Sequence, residues 1–312
     1  MNSAPVHVAV GVIEDATGRI LIARRPEHLH QGGLWEFPGG KVHAGESVTA
    51  ALQRELHEEL HVTVQGSRPL IRVPFDYGDK QVLLDVHRVV SFAGTAVGRE
   101  GQAIRWVEPW QLAEYSFPAA NRAILNAIRL PRCYMITAGY ADIQTYLARI
   151  EQALAGGINL IQLRARQLGD ADYQELAHSV LNTFPAHRDK IILNTPVESF
   201  IVTAGGIHLR SQVLMQLNSR PLGMDKLVGA SVHNAAQLHQ ANKLGVDFMV
   251  LASVLPTTTH PDAISLGWQA FAQLASLAAC PVYALGGLRK EDLPVARQHG
   301  AQGIAGISAF AD

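Results

Sequence analysis

Glu55, Glu58 and Glu59 stand at i, i+3 and i+4, so a helix through them projects three carboxylates from adjoining positions. On an isolated helix such crowding costs roughly 0.2–0.5 kcal/mol per i,i+4 pair. Gathered hard oxygens suit Mg²⁺ or Mn²⁺ bridging to a phosphate. Arg54, i,i+4 with Glu58, can steady a carboxylate by a bidentate contact. Two other readings compete. A Glu-Glu pair by itself reads as a solvated acidic face. His57-Glu58-Glu59-Leu60-His61 also fits H-E-x-x-H, in which two histidines hold zinc and the glutamate is the base of a peptidase, although no obvious third ligand follows.

Val48, Leu52, Leu56 and Leu60 repeat at i+4 beside these acids, which predicts a helix buried along one stripe against a sheet. Before it come two strand patterns, Val6–Ile13 and Arg19–Arg24, and a Gly-rich loop. After it come β-rich stretches at Pro69–Phe75, Gln81–Phe92 and Ile104–Glu108 and a helix from about Ala119 to Ile128, a mixed-sheet arrangement. From Cys133 the rhythm becomes regular β/α alternation. Apolar strand runs fall at Cys133–Thr137, Leu160–Leu163, Lys190–Leu193, Gly206–Leu209, Leu227–Ser231, Phe248–Ala252, Val282–Gly286 and Gly303–Ile307. Their helical connections include Asp142–Ala155, Asn234–Leu244, Trp268–Leu277 and Lys290–His299, and eight such units predict a (β/α)₈ barrel.

The chain has 312 residues, 48% hydrophobic and 17% charged, which excludes a disordered chain and predicts two domains, residues 1–130 and 132–312. A net charge of −1 gives no polybasic footprint, so stable nucleic-acid binding is not expected. Cys133 and Cys280 adjoin apolar runs and read as buried free thiols. The N-terminus lacks a basic signal region and no apolar run is long enough for a membrane, so a cytoplasmic location is expected.

The longer pattern narrows the choice. Gly40, five residues, Glu46, seven residues, then Arg54-Glu55-Leu56-His57-Glu58-Glu59 matches the Nudix box at every charged position. His61 replaces the glycine expected near the helix end, where a left-handed residue closes the helix. Residues 5–130 resemble MutT-type 8-oxo-dGTP diphosphatases through Val10-Gly11-Val12-Ile13, Arg24-Arg25, Trp35-Glu36-Phe37-Pro38-Gly39-Gly40-Lys41, Arg99-Glu100-Gly101-Gln102 and Phe117-Pro118-Ala119-Ala120-Asn121. The resemblance implies a Nudix α/β/α sandwich that hydrolyses 8-oxo-dGTP and related nucleoside triphosphates with Mg²⁺ (or Mn²⁺), sanitising the nucleotide pool. It implies a catalytic set of Glu55, Glu58, Glu100 and Arg54 and a metal set of the Gly39 carbonyl with Glu55, Glu58, Glu59 and Glu100. Arg25, His30, Glu36, Phe37, Pro38 and Gly39 would line the nucleotide pocket, with Asn121 reading the oxidised purine edge. Alone, Asn121 reads as a helix N-cap.

Residues 132–312 resemble the thiamine phosphate synthase/TenI family. The shared segments are Gln162-Leu163-Arg164-Ala165-Arg166, Asn194, Gly206-Ile207-His208-Leu209, Gly229-Ala230-Ser231-Val232-His233, Pro256-Thr257-Thr258-Thr259-His260, Gly286-Gly287 and Ser308-Ala309. All lie at C-terminal strand ends, where barrel active sites are built. The resemblance implies a thiazole or thiamine phosphate ligand contacted by Gln162, Arg164, Arg166, Asn194, Ser231, His233, Thr257, Thr259, Gly286, Gly287 and Ser308. Two metal-binding acids of that family are replaced by Thr195 and Val213, and its diphosphate-contacting lysines read as Arg166 and His260. Synthase activity is therefore not expected. A degenerate phosphate-binding barrel, a thiazole tautomerase using His233, or a bifunctional protein of thiamine biosynthesis are the alternatives. The last strand ends close to Asp312, so the barrel is expected to lack its final helix, leaving a flank for the N-terminal domain or a homodimer partner.

Overall fold

The computed structural model describes residues 4–28, 31–194, 203–257 and 265–310. Two compact units divide the chain, Met1–Arg129 and Leu130–Asp312.

In the first unit, β1 (Val6–Ile13), β4 (Gly39–Lys41), β5 (Thr63–Asp76) and β6 (Gln81–Ala93) form a sheet ordered β4-β1-β6-β5. A second sheet is ordered β3-β2-β7, from β2 (Ile20–Arg24), β3 (Trp35–Glu36) and β7 (Ile104–Val107). Alternation along β1 decides what packs on each face. Ala9 and Ile13 meet Ala51, Leu52, Leu56 and Leu60 of helix α1 (Val48–Leu60), whereas Val10 and Val12 share a core with Ala123 and Ile124 of α2 (Asn121–Arg129). A helix on each side makes the expected α/β/α sandwich. Burying each of the three leucines is worth roughly 1.5–3 kcal/mol, and this fixes which face of α1 is left for its acids.

The Gly-rich loop proves partly ordered as strand. β3 and β4 are too short to show a period, and β4 pairs with β1 because glycine lets the backbones close up. A Cβ on Gly39 would lie 2.1 Å from the Ala9 carbonyl oxygen, and Gly39 has φ 149°.

In the second unit eight parallel strands close into a barrel: β8 (Cys133–Ile136), β9 (Ile161–Leu163), β10 (Ile191–Leu193), β11 (Gly206–Leu209), β12 (Leu227–Val232), β13 (Phe248–Ala252), β14 (Val282–Leu285) and β15 (Gly303–Gly306). Helices α3 (Ile143–Ala155) and α4 (Asp170–Thr183) follow β8 and β9. The short α5 (Ser211–Gln216) follows β11, and α6 (Ala235–Leu244), α7 (Gly267–Ala275) and α8 (Leu293–Gln298) follow β12 to β14. Asp142 and Asn234 cap α3 and α6 by accepting from the Thr145 and Gln237 amides, which is why those helices begin where they do. Tyr134, Phe248, Tyr283, Leu160 and Ile192 fill the interior as a packed core. Its floor is tied to the chain entering the barrel: Tyr283 donates to the Pro131 carbonyl (2.6 Å) and Gln302 to that of Leu130 (2.7 Å). No described helix is long and apolar enough to cross a membrane.

Candidate functional site

Helix α1 is held at both ends. Ser47 accepts from the Ala50 amide at its start. At its end His61 takes the left-handed conformation (φ 59°, ψ 32°), its amide donating to the His57 carbonyl and that of Val62 to Leu56. The closing geometry usually supplied by glycine is thus made with a histidine. His57 and His61 lie ring beside ring at 5.5 Å, away from any described third ligand of a zinc site.

Arg54 organises the acidic face. Its guanidinium donates to both carboxylate oxygens of Glu46 (3.0 and 2.9 Å), to Glu55 (2.8 Å), to Glu58 (3.4 Å) and to the Lys41 carbonyl (3.0 Å). Those bonds, with one from the His43 amide, pull the Glu46 pKa down to about 2. Glu46 therefore serves as the fixed counter-charge of Arg54. Glu55 lies over Gly40, where a Cβ would fall 2.1 Å from its carboxyl carbon, so the glycine opens the space it occupies.

Glu59 sits differently. Burial, then the charges of Glu36, Glu100 and Glu55, push its pKa up to about 8, against a hydrogen bond from the Gly39 backbone. Glu100 is brought near by its loop, because the Glu59 carbonyl accepts from the Arg99 amide (3.0 Å) and the Gln102 side chain (3.1 Å). Glu36, Glu55, Glu59 and Glu100 thus form one field of negative charge, while Glu58 is more exposed and turned toward Arg54. Among the described residues no three His, Cys, Asp or Glu side chains are gathered as ready ligands. The donor chemistry nevertheless fits a hard divalent cation, since buried carboxylates that raise one another's pKa are relieved by positive charge.

The other predicted residues of this unit have the following surroundings. Arg25 is ion-paired with Glu36, whose own pKa is raised by burial against the pull of that arginine. Phe37 is buried and stacked on Phe117 at 5.4 Å. Pro38 accepts from the Gly11 amide (2.8 Å), setting the turn into Gly39. Asn121 is the first residue of α2 and only 8% exposed, yet its side-chain amide has no hydrogen-bond partner among the described residues. It does not cap the helix. His30 lies outside the described residues. The sequence reading missed Tyr77, half-buried in the β5–β6 turn, which reaches the Ala120 backbone and feels Arg25 and Glu36. A lone turn tyrosine carries no spacing signal.

In the barrel, Gln162 (2% exposed) and Asn194 (6%) lie in β9 and just after β10, and Gln162 Nε2 has no hydrogen-bond partner among the described residues. Ser231 links the mouth to the interior: its Oγ lies 2.9 Å from His208 Nε2, and His208 Nδ1 lies 3.2 Å from the Tyr134 hydroxyl. Burial drives the His208 pKa down to about 3, so this histidine is neutral. His233 is exposed, its Nδ1 3.1 Å from the Ala252 carbonyl. Gly286 and Gly287 (φ 109° and 65°) turn the chain after β14 where a Cβ would strike Ser253 or Pro256, and Thr257 lies nearby in sequence. Ser308 lines a cavity of about 300 Å³ with Tyr140, Arg149, Lys290 and Phe310. Val213 packs against the apolar core, so its position holds no cation ligand. Thr195, Thr259 and His260 lie outside the described residues.

Comparison with known proteins divides at the same place. Residues 9–127 match the family model "NUDIX domain" and residues 133–310 the model "Thiamine monophosphate synthase". The chain is 32% identical over 184 residues to a putative thiamine-phosphate synthase 2 of Aquifex aeolicus, covering 59% of this chain and 99% of that protein. It is 35% identical over 128 residues to the 8-oxo-dGTP diphosphatase of Haemophilus influenzae, covering 41% of this chain and 94% of that protein. A chain from a structural study of the MutT proteins of Aliivibrio salmonicida and Vibrio cholerae shares 40% identity at a TM-score of 0.37, covering 40% of this chain and 97% of that one.

Proposed function

Because this chain belongs to the Nudix hydrolases over its first unit and to the thiamine monophosphate synthase family over its second, we propose that residues 1–130 hydrolyse 8-oxo-dGTP and related nucleoside triphosphates to the monophosphate and pyrophosphate. The observation that supports this reading is the closeness of Glu36, Glu55 and Glu100 to buried Glu59, which together raise its pKa, an arrangement that a bound cation would relieve. The Gly39 carbonyl with Glu55, Glu58, Glu59 and Glu100 would hold Mg²⁺ or Mn²⁺, which when bound neutralises phosphate charge and lowers the pKa of the attacking water. Water then adds to the β-phosphorus, and the bridging oxygen leaves with the nucleoside monophosphate. Arg54 keeps Glu55 and Glu58 in position from its anchor on Glu46. The Asn121 amide offers a donor and an acceptor to a purine edge, and a base that leaves either unpaired in a dry pocket is rejected. Phe37, stacked on Phe117, gives that pocket a firm apolar wall.

For residues 132–312 we propose a ligand-binding barrel of thiamine metabolism that takes a thiazole or thiamine phosphate without the metal-assisted step of a synthase. Val213 in an apolar setting supports this. Pyrophosphate release with Mg²⁺ from 8-oxo-dGTP, dGTP and dCTP tests the first assignment. Turnover favouring 8-oxo-dGTP is expected, and no turnover of any nucleotide would overturn it. Condensation of a hydroxymethylpyrimidine diphosphate with a thiazole phosphate by the same preparation would overturn the second.

A further inference from the structure

Helix α1 carries two sets of side chains able to hold a metal, and the hydrolysis proposed above uses only the carboxylates. His57 and His61 stand at i and i+4, the spacing at which two imidazoles on one helical face chelate a single ion. Both are exposed, with ring centres 5.5 Å apart. A Zn–N distance of about 2.0–2.1 Å puts the centres of two rings sharing one tetrahedral ion about 5 Å apart, so the pair stands near the spacing a shared ion requires. Neither imidazole has a hydrogen-bond or ion-pair partner among the described residues. The backbone already joins the two residues, because the His61 amide, in its left-handed cap, donates to the His57 and Leu56 carbonyls. An ion between the rings closes a second link across the same turn.

Imidazole nitrogen suits Zn²⁺, Cu²⁺ and Ni²⁺, whereas Mg²⁺ takes oxygen, so the two sets sort their ions by chemistry. Glu58 lies between the histidines in sequence, but its carboxylate is turned to Arg54 (3.4 Å), and no third ligand is gathered among the described residues. The pair therefore leaves coordination positions to water and lacks the free base of a peptidase. The same helix end holds the loop that bears Glu100. The Leu60 carbonyl accepts from the Val97 amide (3.0 Å), and that of Glu59 from the Arg99 amide (3.0 Å) and the Gln102 side chain (3.1 Å). The chain leaving β6 also packs on this cap, since a Cβ on Gly94 would lie 2.7 Å from the His61 carbonyl oxygen. We propose that His57 and His61 form a two-histidine site for a transition-metal ion of the Zn²⁺ class, which fastens the end of α1 and with it the loop bearing Glu100. The site is separate from the carboxylates and does not rest on the hydrolysis reading.

Calorimetric titration of the full chain with Zn²⁺, in excess Mg²⁺ to occupy the carboxylates, tests it. A saturable site is expected that His57→Gln or His61→Asn each weakens at least about tenfold, the scale on which even indirect partners of a metal matter. Asparagine keeps the left-handed cap, so a loss in His61→Asn reads the imidazole and not the helix end. With Cu²⁺ in place of Zn²⁺, electron paramagnetic resonance should show two coordinated nitrogens, and one in either variant. Opening of the helix end separates the rings. At a Zn²⁺ concentration about 100 times Kd, hydrogen exchange of the Val97 and Arg99 amides should therefore slow by up to about 100-fold, an effect absent from both variants. Zn²⁺ binding that either variant leaves unchanged, that excess Mg²⁺ abolishes, or that leaves the exchange of those amides unaltered would overturn the proposal.

Discussion

The acidic face of α1 and the arginine mouth of the barrel are two answers to one problem, how to keep like charges together in a folded protein. Around Glu59 the charges are negative, and a rigid frame of Ser47, the His61 cap and the Arg54–Glu46 pair prevents the helix from relaxing away from them. At the barrel mouth they are positive, since burial and the charges of Arg166 and Arg210 lower the Arg164 pKa, and the frame is Thr137, which bonds the Arg164 amide and carbonyl. Each cluster is of the kind that a ligand of opposite charge relieves. An unbalanced cluster held by a stiff frame therefore tells which charge its ligand must bring.

The largest effect is expected from neutralising Glu59. If Glu59 is a ligand of the proposed metal, Glu59→Gln should lower kcat/KM for nucleotide hydrolysis by about 10³-fold while the metal-free Tm holds or rises. Steady-state kinetics beside thermal unfolding would check it. A lower Tm with intact kcat/KM would make Glu59 a structural residue. Next in size, Asn121→Ala should reduce the preference for 8-oxo-dGTP over dGTP roughly 10- to 100-fold, measured as the ratio of their kcat/KM values. An unchanged ratio would move base recognition to other residues of the pocket, Tyr77 first.

A buried histidine makes the barrel unit sensitive to acid. His208 is neutral when folded, with a pKa of about 3, whereas the unfolded chain takes up a proton near pH 6.5. Between those values the unfolded state binds more protons, so stability falls as pH drops through this window, by at most about 1.4 kcal/mol per pH unit. Above about pH 6.5 this contribution is flat. Denaturant unfolding of the barrel from pH 7 to pH 5 should show the slope, and His208→Asn should remove it. The smallest effect is expected at His61. His61→Gly should stabilise the first unit by no more than about 1 kcal/mol, since glycine accepts the left-handed cap more readily but also loosens the unfolded chain. Destabilisation beyond that would mean the imidazole contributes contacts to the helix end.

The parts of this molecule legible in sequence are those with a repeating spacing. Glu55, Glu58 and Glu59 beside the Val48–Leu60 stripe announce both a helix and its chemistry, and eight apolar runs announce a closed barrel. What was hidden depends on closure. Tyr134, His208 and Ser231 belong to different strands, and only the barrel brings them into one hydrogen-bonded line. β3 and β4 escaped notice because two or three residues show no period, and Tyr77 because a hairpin turn has none.

The central claim, that the acids of α1 make a diphosphate-cleaving metal site, meets its most direct test in pyrophosphate release from 8-oxo-dGTP by the full chain with and without Mg²⁺. Release with Mg²⁺, none in EDTA, and near-complete loss in Glu59→Gln are expected. Hydrolysis that persists at full rate in EDTA or in Glu59→Gln would contradict it.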